Sequence, residues 1–286
     1  MAGAAAPLME ADRAHPFWLA VPLGLFFLVF FAVPLVLLLW VSLQGEAGVS
    51  LVHYTRFLQD GLGPRVLGAT LRIGAEVTLF CLLLAYPLAM VFRAAPGWGK
   101  GLITLIVLLP LLTSVVVRTF AWIVVLGRQG VVNATLQSLG LIDLPLRLLY
   151  TEGGLVAALV QVQMPLMFLP LATALGRIDP NLEDASAALG AGIWRTFLRV
   201  VVPLSLPGAL AGCILTFAAA VTAFITQSLV GGGQLLLMPG FIYQQAITLQ
   251  NWPFAAAISI VFLAAVLAVL AAIGALARLA RGAAYG

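Results

Sequence analysis

The sequence predicts an all-α integral membrane protein with six transmembrane helices, and three observations carry that prediction. Of the 286 residues 63% are hydrophobic and 8% are charged, about a third of the roughly 25% charge of a soluble domain. Six stretches each reach the roughly twenty apolar residues that cross a bilayer as a helix. None alternates apolar and polar residues as a membrane β-strand does, and a helix satisfies its own backbone in lipid. This composition excludes a water-soluble globular domain and a disordered chain. The 14 Lys and Arg, against 10 Asp and Glu, form no basic stripe, so nucleic acid is not an expected partner. Cys81 and Cys213 lie in separate apolar runs, which suggests neither a disulfide framework nor a metal site.

The expected spans are Phe17–Val41, Val66–Val91, Leu102–Leu126, Leu155–Leu175, Leu204–Val230 and Phe254–Ala277. The first is far longer than the roughly 7–15 apolar residues of a signal peptide, and Glu10 and Asp12 precede it, so it reads as a retained span. The second carries Arg72 and Glu76, four apart and able to pair on one helix face. The third carries Arg118, and the fourth carries Gln161, Gln163, Pro165 and Pro170. Gly208-x3-Gly212 opens the fifth and suits close helix packing, within one subunit or between two. Placing the amino terminus in the cytoplasm puts eight Lys and Arg in cytoplasmic segments and four outside, with Arg72 and Arg118 inside spans. Positive loops resist translocation, so both termini are expected inside. The organisation is then a tail at 1–16, a six-helix domain at 17–277 with a cytoplasmic loop at 176–203, and a tail at 278–286.

The loop at 176–203 is the most informative segment. Asp179-Pro180 suits a helix start, since Asp can cap it and Pro tolerates the first helical position. Glu183 and Asp184 place negative charge near the positive end of the helix dipole. Ala185, Ser186, Ala187 and Ala188 leave a nearly bare surface, and Gly190 stops the helix. A second stretch runs from about Ile193 to Val202 and ends at Pro203, with Arg195 and Arg199 four apart on one face. Two readings stand: a small-surfaced helix inserting into a groove on a cytoplasmic partner, or an amphipathic loop with its arginines at lipid phosphates.

The run Asp184-Ala185-Ser186-x3-Gly190-x9-Val200-x-Val202-Pro203 resembles the EAA motif of binding-protein-dependent ABC importer permeases. That motif reads Glu-Ala-Ala, three residues, Gly, nine residues, Ile-x-Leu-Pro. Both spacings match, and the departures are Asp for Glu, Ser for the second Ala, and Val for Ile and Leu. The resemblance implies the type I importer fold and a coupling helix that docks on an ATP-hydrolysing subunit. It assigns that loop to Glu183, Asp184, Ala185, Ser186, Gly190 and Pro203. Pro110-Leu111-Leu112-Thr113-Ser114, Arg118-Thr119-Phe120-Ala121-Trp122, Phe224-Ile225-Thr226 and Asn251-Trp252-Pro253-Phe254 are similar to the polyamine/opine-type subfamily, which includes spermidine/putrescine permeases. Gln227 stands where polyamine permeases often have Pro.

Catalytic motifs are absent. His15 and His53 lie outside the spans, and the phosphate-loop lookalike Ala94–Gly101 lacks its first Gly and the hydroxyl after Lys100. The chain is therefore not expected to be an enzyme or to bind a cofactor itself. ATP and Mg are expected on a partner ATPase.

For the pathway, Arg72, Glu76 and Arg118 are expected to meet as a charged cluster near the outer mouth, with an inter-helix salt bridge as the plainer alternative. Trp122, Gln161, Gln163 and Thr226 are further candidates, although polar residues at this depth also hold helices together. Gly231–Gly233 and Leu235–Met238 read either as a loop tucked against the outer mouth or as a plain connection. The resemblance implies a permease subunit in the bacterial inner membrane that imports a small organic cation such as a polyamine (spermidine/putrescine) or a related amino-acid derivative. The implied partners are an ATPase dimer, a second homologous permease (with a homodimer of this chain as the alternative), a periplasmic binding protein and the lipid bilayer. The rival is an ion-gradient-driven transporter or channel, which would favour acidic or His residues near the midplane and an inverted repeat.

Overall fold

The computed structural model describes residues 17–45 and 48–285. The expected tail at 1–16, with His15 and the charges at 10, 12 and 13, lies outside the described residues. Six helices are long and apolar enough to cross a membrane. The first span is α1 (Phe17–Phe27), a π-helical turn at Leu28–Ala32, and α2 (Val33–Ser42). A short hairpin, β1 (Gln44–Gly45) with β2 (Gly48–Val49), leads to α3 (Val52–Gln59) and then the long α4 (Leu62–Ala94). α5 (Gly97–Leu112), α6 (Val115–Leu126) and α7 (Val131–Ser138) follow, then α8 (Glu152–Gly176). Beyond them lie α9 (Pro180–Ala188), α10 (Ile193–Thr196), a π turn at Phe197–Val201, α11 (Val202–Val221) and α12 (Phe224–Val230). α13 (Met238–Tyr243), a π turn at Gln244–Thr248 and α14 (Trp252–Tyr285) complete the chain.

The core is the trio α4, α8 and α11. Along α4 the buried residues Ile73, Val77, Cys81, Ala85 and Ala89 recur every fourth position. Such a stripe stays on one helix face, and here it meets Leu155, Leu159, Met167, Leu171 and Leu175 of α8. Small residues set how closely the helices approach. A Cβ on Gly208 would lie 2.3 Å from that of Ala174, and one on Gly212 would lie 3.0 Å from the Met167 carbonyl oxygen. The Gly208-x3-Gly212 pair therefore packs α11 on α8 within the chain. Gly212→Leu is expected to overpack this contact by about 1–3 kcal/mol, sharply lowering the amount of folded subunit extracted from membranes. Wild-type abundance would show that the contact yields.

The third and fifth spans are not the continuous helices the sequence predicted. The third breaks at Thr113–Ser114, so Leu102–Leu126 is two helices. The fifth ends at Val221, and Thr222–Ala223 separate it from α12. At that break Thr222 Oγ1 donates to Ala218 O at 2.8 Å, competing for helical carbonyls. The stop expected at Pro203 is also absent, because helix runs through it from Ile193 to Val221. The π turn explains why. Val202 N–H reaches back to Phe197 O, and the widened turn relieves the clash of the Pro203 ring with the preceding backbone. Val33 N–H bonds Leu28 O in the same way just before Pro34.

The loop after α12 is tucked inward rather than a plain connection. Leu237 and Met238 are buried, and Met238 N–H donates to Thr70 Oγ1 of α4 at 2.9 Å. The first span packs along α14 and presents most of its apolar surface outward.

Candidate functional site

At one end of the bundle lies α9, which has no buried residue. Asp179 Oδ1 accepts from Asn181 N–H at 3.0 Å, capping the helix, and Pro180 occupies its first position. At the other terminus Gly190 adopts φ +81. Gly190 N–H donates to Ala187 O at 2.9 Å and Ala191 N–H to Ser186 O at 3.1 Å. These are the paired bonds of a Schellman stop, which needs a left-handed residue. No atom of the described residues lies within 4 Å of where a Gly190 Cβ would sit, so backbone conformation rather than space calls for glycine there.

The two neighbouring acids of α9 have different environments. Glu183 pairs with Arg93 at the end of α4, and Arg93 Nη2 also donates to Ile178 O at 3.1 Å. Arg93 thus clamps the start of α9 to the core. Asp184 and Ala185 are exposed. Ser186 Oγ lies 2.9 Å from Thr196 Oγ1 and ties α9 to α10. Leu189, Ile193 and Trp194 are 88%, 89% and 77% exposed, an apolar patch beside Asp184. Behind it a cavity of about 970 Å³ opens between α4, α9 and α10, lined by Tyr86, Met90, Trp194 and Phe197 among others.

The opposite end holds the charged candidates. Arg72 bridges two carboxylates, with Nη2 at 2.5 Å from Glu152 Oε2 and Nε at 3.7 Å from Glu76 Oε1. Arg118 is not part of this group, which corrects the three-residue cluster expected from sequence. Its Nη1 donates to the Pro110 carbonyl, which Thr113 Oγ1 also reaches at 3.0 Å. The break after Leu112 leaves α5 carbonyls without helical partners, and a cation there also meets the negative end of the dipole. Arg118 Nε is buried without a partner among the described residues. Replacing Arg118 by Glu152 turns the expected excess of positive charge into two carboxylates around one guanidinium. The double variant Arg72→Gln with Glu76→Gln is expected to lower uptake at least several-fold, whereas normal uptake would leave the group a packing bridge only.

The softer candidates sort into pairs. Trp122 Nε1 donates to Gln161 Oε1 at 3.3 Å, joining α6 to α8. Thr226, buried on α12, lies 3.5 Å by Oγ1 from Thr119 Oγ1. Gln163 is buried on α8, two residues from Gln161 and so on a different face. Sequence reasoning missed Arg93, Glu152 and Thr119 as partners, because each contact joins residues at least 80 apart. Glu152 had one local signal, an acid directly after the Thr151 cap of α8.

Six apolar spans, three of them forming the core, with a capped and exposed helix between the fourth and fifth, define a polytopic membrane protein. The chain belongs to the binding-protein-dependent transport system inner membrane components, whose family model matches residues 3–281. It is thus a multi-pass protein of the bacterial inner membrane. It is 33% identical over 241 residues to the spermidine/putrescine transport system permease protein PotB of Haemophilus influenzae, covering 82% of this chain and 84% of that protein. It is 35% identical over 211 residues to PotB of Escherichia coli, covering 74% and 76%. Its fold resembles a bacterial alginate ABC transporter crystallised with an alginate pentasaccharide-bound periplasmic protein. That match has a TM-score of 0.78 at 18% identity and covers 93% of this chain and 96% of the other.

Proposed function

We propose that this chain is the permease subunit of an ATP-driven importer that carries a polyamine such as spermidine or putrescine from the periplasm to the cytoplasm. The observation that carries the reading is α9, an exposed helix capped at both ends whose Asp184–Gly190 spacing follows the EAA motif. The identity of 33–35% to spermidine/putrescine permeases supports the substrate class. In this reading the α9 end faces the cytoplasm, as the eight-to-four bias of Lys and Arg favours.

An ATPase pair docks on Asp184, Ala185 and the apolar patch of Leu189, Ile193 and Trp194. ATP and Mg are bound there, on the partner, while this chain translocates. A second, homologous permease completes the membrane path, and a periplasmic binding protein delivers cargo at the opposite end, near Arg72, Glu76 and Glu152. The Arg93–Glu183 clamp passes motion of α9 into α4. Trp122–Gln161 and Thr119–Thr226 join the helices that line the path, and Gln163 is buried on another face of α8. Alternating access follows when closure of the ATPase pair moves α9 and opens the outer end.

Co-purification from native membranes in mild detergent tests this. An ATPase, a second permease and a periplasmic protein that binds spermidine or putrescine are the expected companions. Isolation alone, under conditions that preserve a control importer, would overturn the reading in favour of an ion-driven transporter.

A further inference from the structure

Gln227 is 4% exposed on α12. Its amide is oriented by the chain itself, because Nε2 donates to Ala220 O at 3.2 Å. The reverse orientation would set two oxygens against each other. That leaves Oε1 buried with no hydrogen-bond partner among the described residues. Buried carbonyl oxygens are rarely left so, and each such case calls for an explanation.

Gln227 also lines an open cavity of about 280 Å³ between α12, α13 and the glycine-rich turn. Phe224 and Tyr243, also in its wall, pack with ring centroids 5.2 Å apart. The glycine-rich turn forms one side of the cavity, with Gly232 at φ +58 and packed on the Tyr150 ring. Ser228 adds a hydroxyl, and no carboxylate is among the lining residues.

Resting on the importer reading above, we propose that Gln227 is a specificity-determining residue whose Oε1 accepts a hydrogen bond from a protonated amine of the cargo as it passes this cavity. The chemistry suits an alkylammonium group. The amide supplies an acceptor and the aromatic pair supplies π faces that attract a cation. The lack of a carboxylate suits passage, since a transit site must hold its ion loosely enough to release it. Oε1 is buried in the state described here, so the proposal includes a local opening of the cavity as cargo passes.

The test is uptake of radiolabelled putrescine by the full transporter, normalised to the amount of assembled complex. Gln227→Met keeps the length and removes the acceptor, and uptake is expected to fall roughly tenfold, as for loss of a hydrogen bond to a charged group. Gln227→Asn keeps a neutral amide with both donor and acceptor and is expected to retain more uptake than Gln227→Met. Unchanged uptake with Gln227→Met, or equal loss in both variants at normal assembly, overturns the proposal. Should Gln227→Met fail to assemble, Gln227→Cys with Cys81 and Cys213 changed to Ser carries the test. Putrescine is expected to slow its modification by a methanethiosulfonate reagent, and an unchanged rate overturns the proposal. Failure of the importer reading looks different, because the wild-type complex would then take up no putrescine or spermidine at all.

Discussion

Uptake by a Gly190→Arg variant is expected to fall to background while the subunit still inserts in the membrane. The left-handed conformation at Gly190, φ +81, costs an L-residue about 1–2 kcal/mol. Relaxing it would break the two bonds that end α9 and turn Leu189 and Ile193 away from their present positions. Arginine adds a long charged side chain to the face proposed to meet the ATPase. A graded series separates the two effects. Gly190→Asn, whose side chain tolerates the left-handed region, should keep most uptake, and Gly190→Ala should lose it several-fold. Radiolabelled uptake, with immunoblotting of membranes for insertion, makes the comparison. Wild-type uptake by Gly190→Arg would remove α9 from the mechanism.

The second large effect is expected at the clamp. Arg93→Gln leaves Glu183 without its cation and frees the Ile178 carbonyl. The side chains are 18% and 34% exposed, so the pair is partly shielded from solvent and sits at the upper end of the roughly 0–1 kcal/mol of a surface ion pair, with the Arg93 hydrogen bond to Ile178 O adding to it. Uptake should fall about tenfold or more, equivalent to ~1.4 kcal/mol. ATP hydrolysis should persist with less transport per ATP, because α9 would then move without α4. The exchange Arg93→Glu with Glu183→Arg should recover part of the loss, and its coupling is measurable as a double-mutant cycle. Recovery stays incomplete because arginine near the helix start opposes the dipole. If the single variant keeps wild-type coupling, α9 transmits motion by another contact.

Much of the architecture was legible because lipid leaves a chain few choices. A run of apolar residues as long as Val21–Ser42 or Trp252–Leu276 has to become a helix to satisfy its backbone. α9 was legible for a different reason. Its cap at Asp179, its proline start and its glycine stop are local chemistry, complete within Asp179–Ala191. The breaks at Thr113–Ser114 and Thr222–Ala223 were not legible, because hydrophobicity does not distinguish one helix from two in line. Nor was the effect of Pro203: proline near a helix end usually reads as a stop, and only the π turn shows it accommodated.

The amino-acid sequence by itself determined that this protein lies in a membrane, that it has six spans, and that a short capped helix separates the fourth from the fifth. These properties follow from period, length and capping, each set by residues a few positions apart. The tertiary structure alone decided which charges meet. It set Arg72 between Glu76 and Glu152, gave Arg118 to a helix end, joined Arg93 to Glu183 and left Gln227 Oε1 without a donor among the described residues. Except for Arg72 with Glu76, such partners lie on different helices. Their meeting depends on how α4, α8 and α11 pack, which no local spacing encodes.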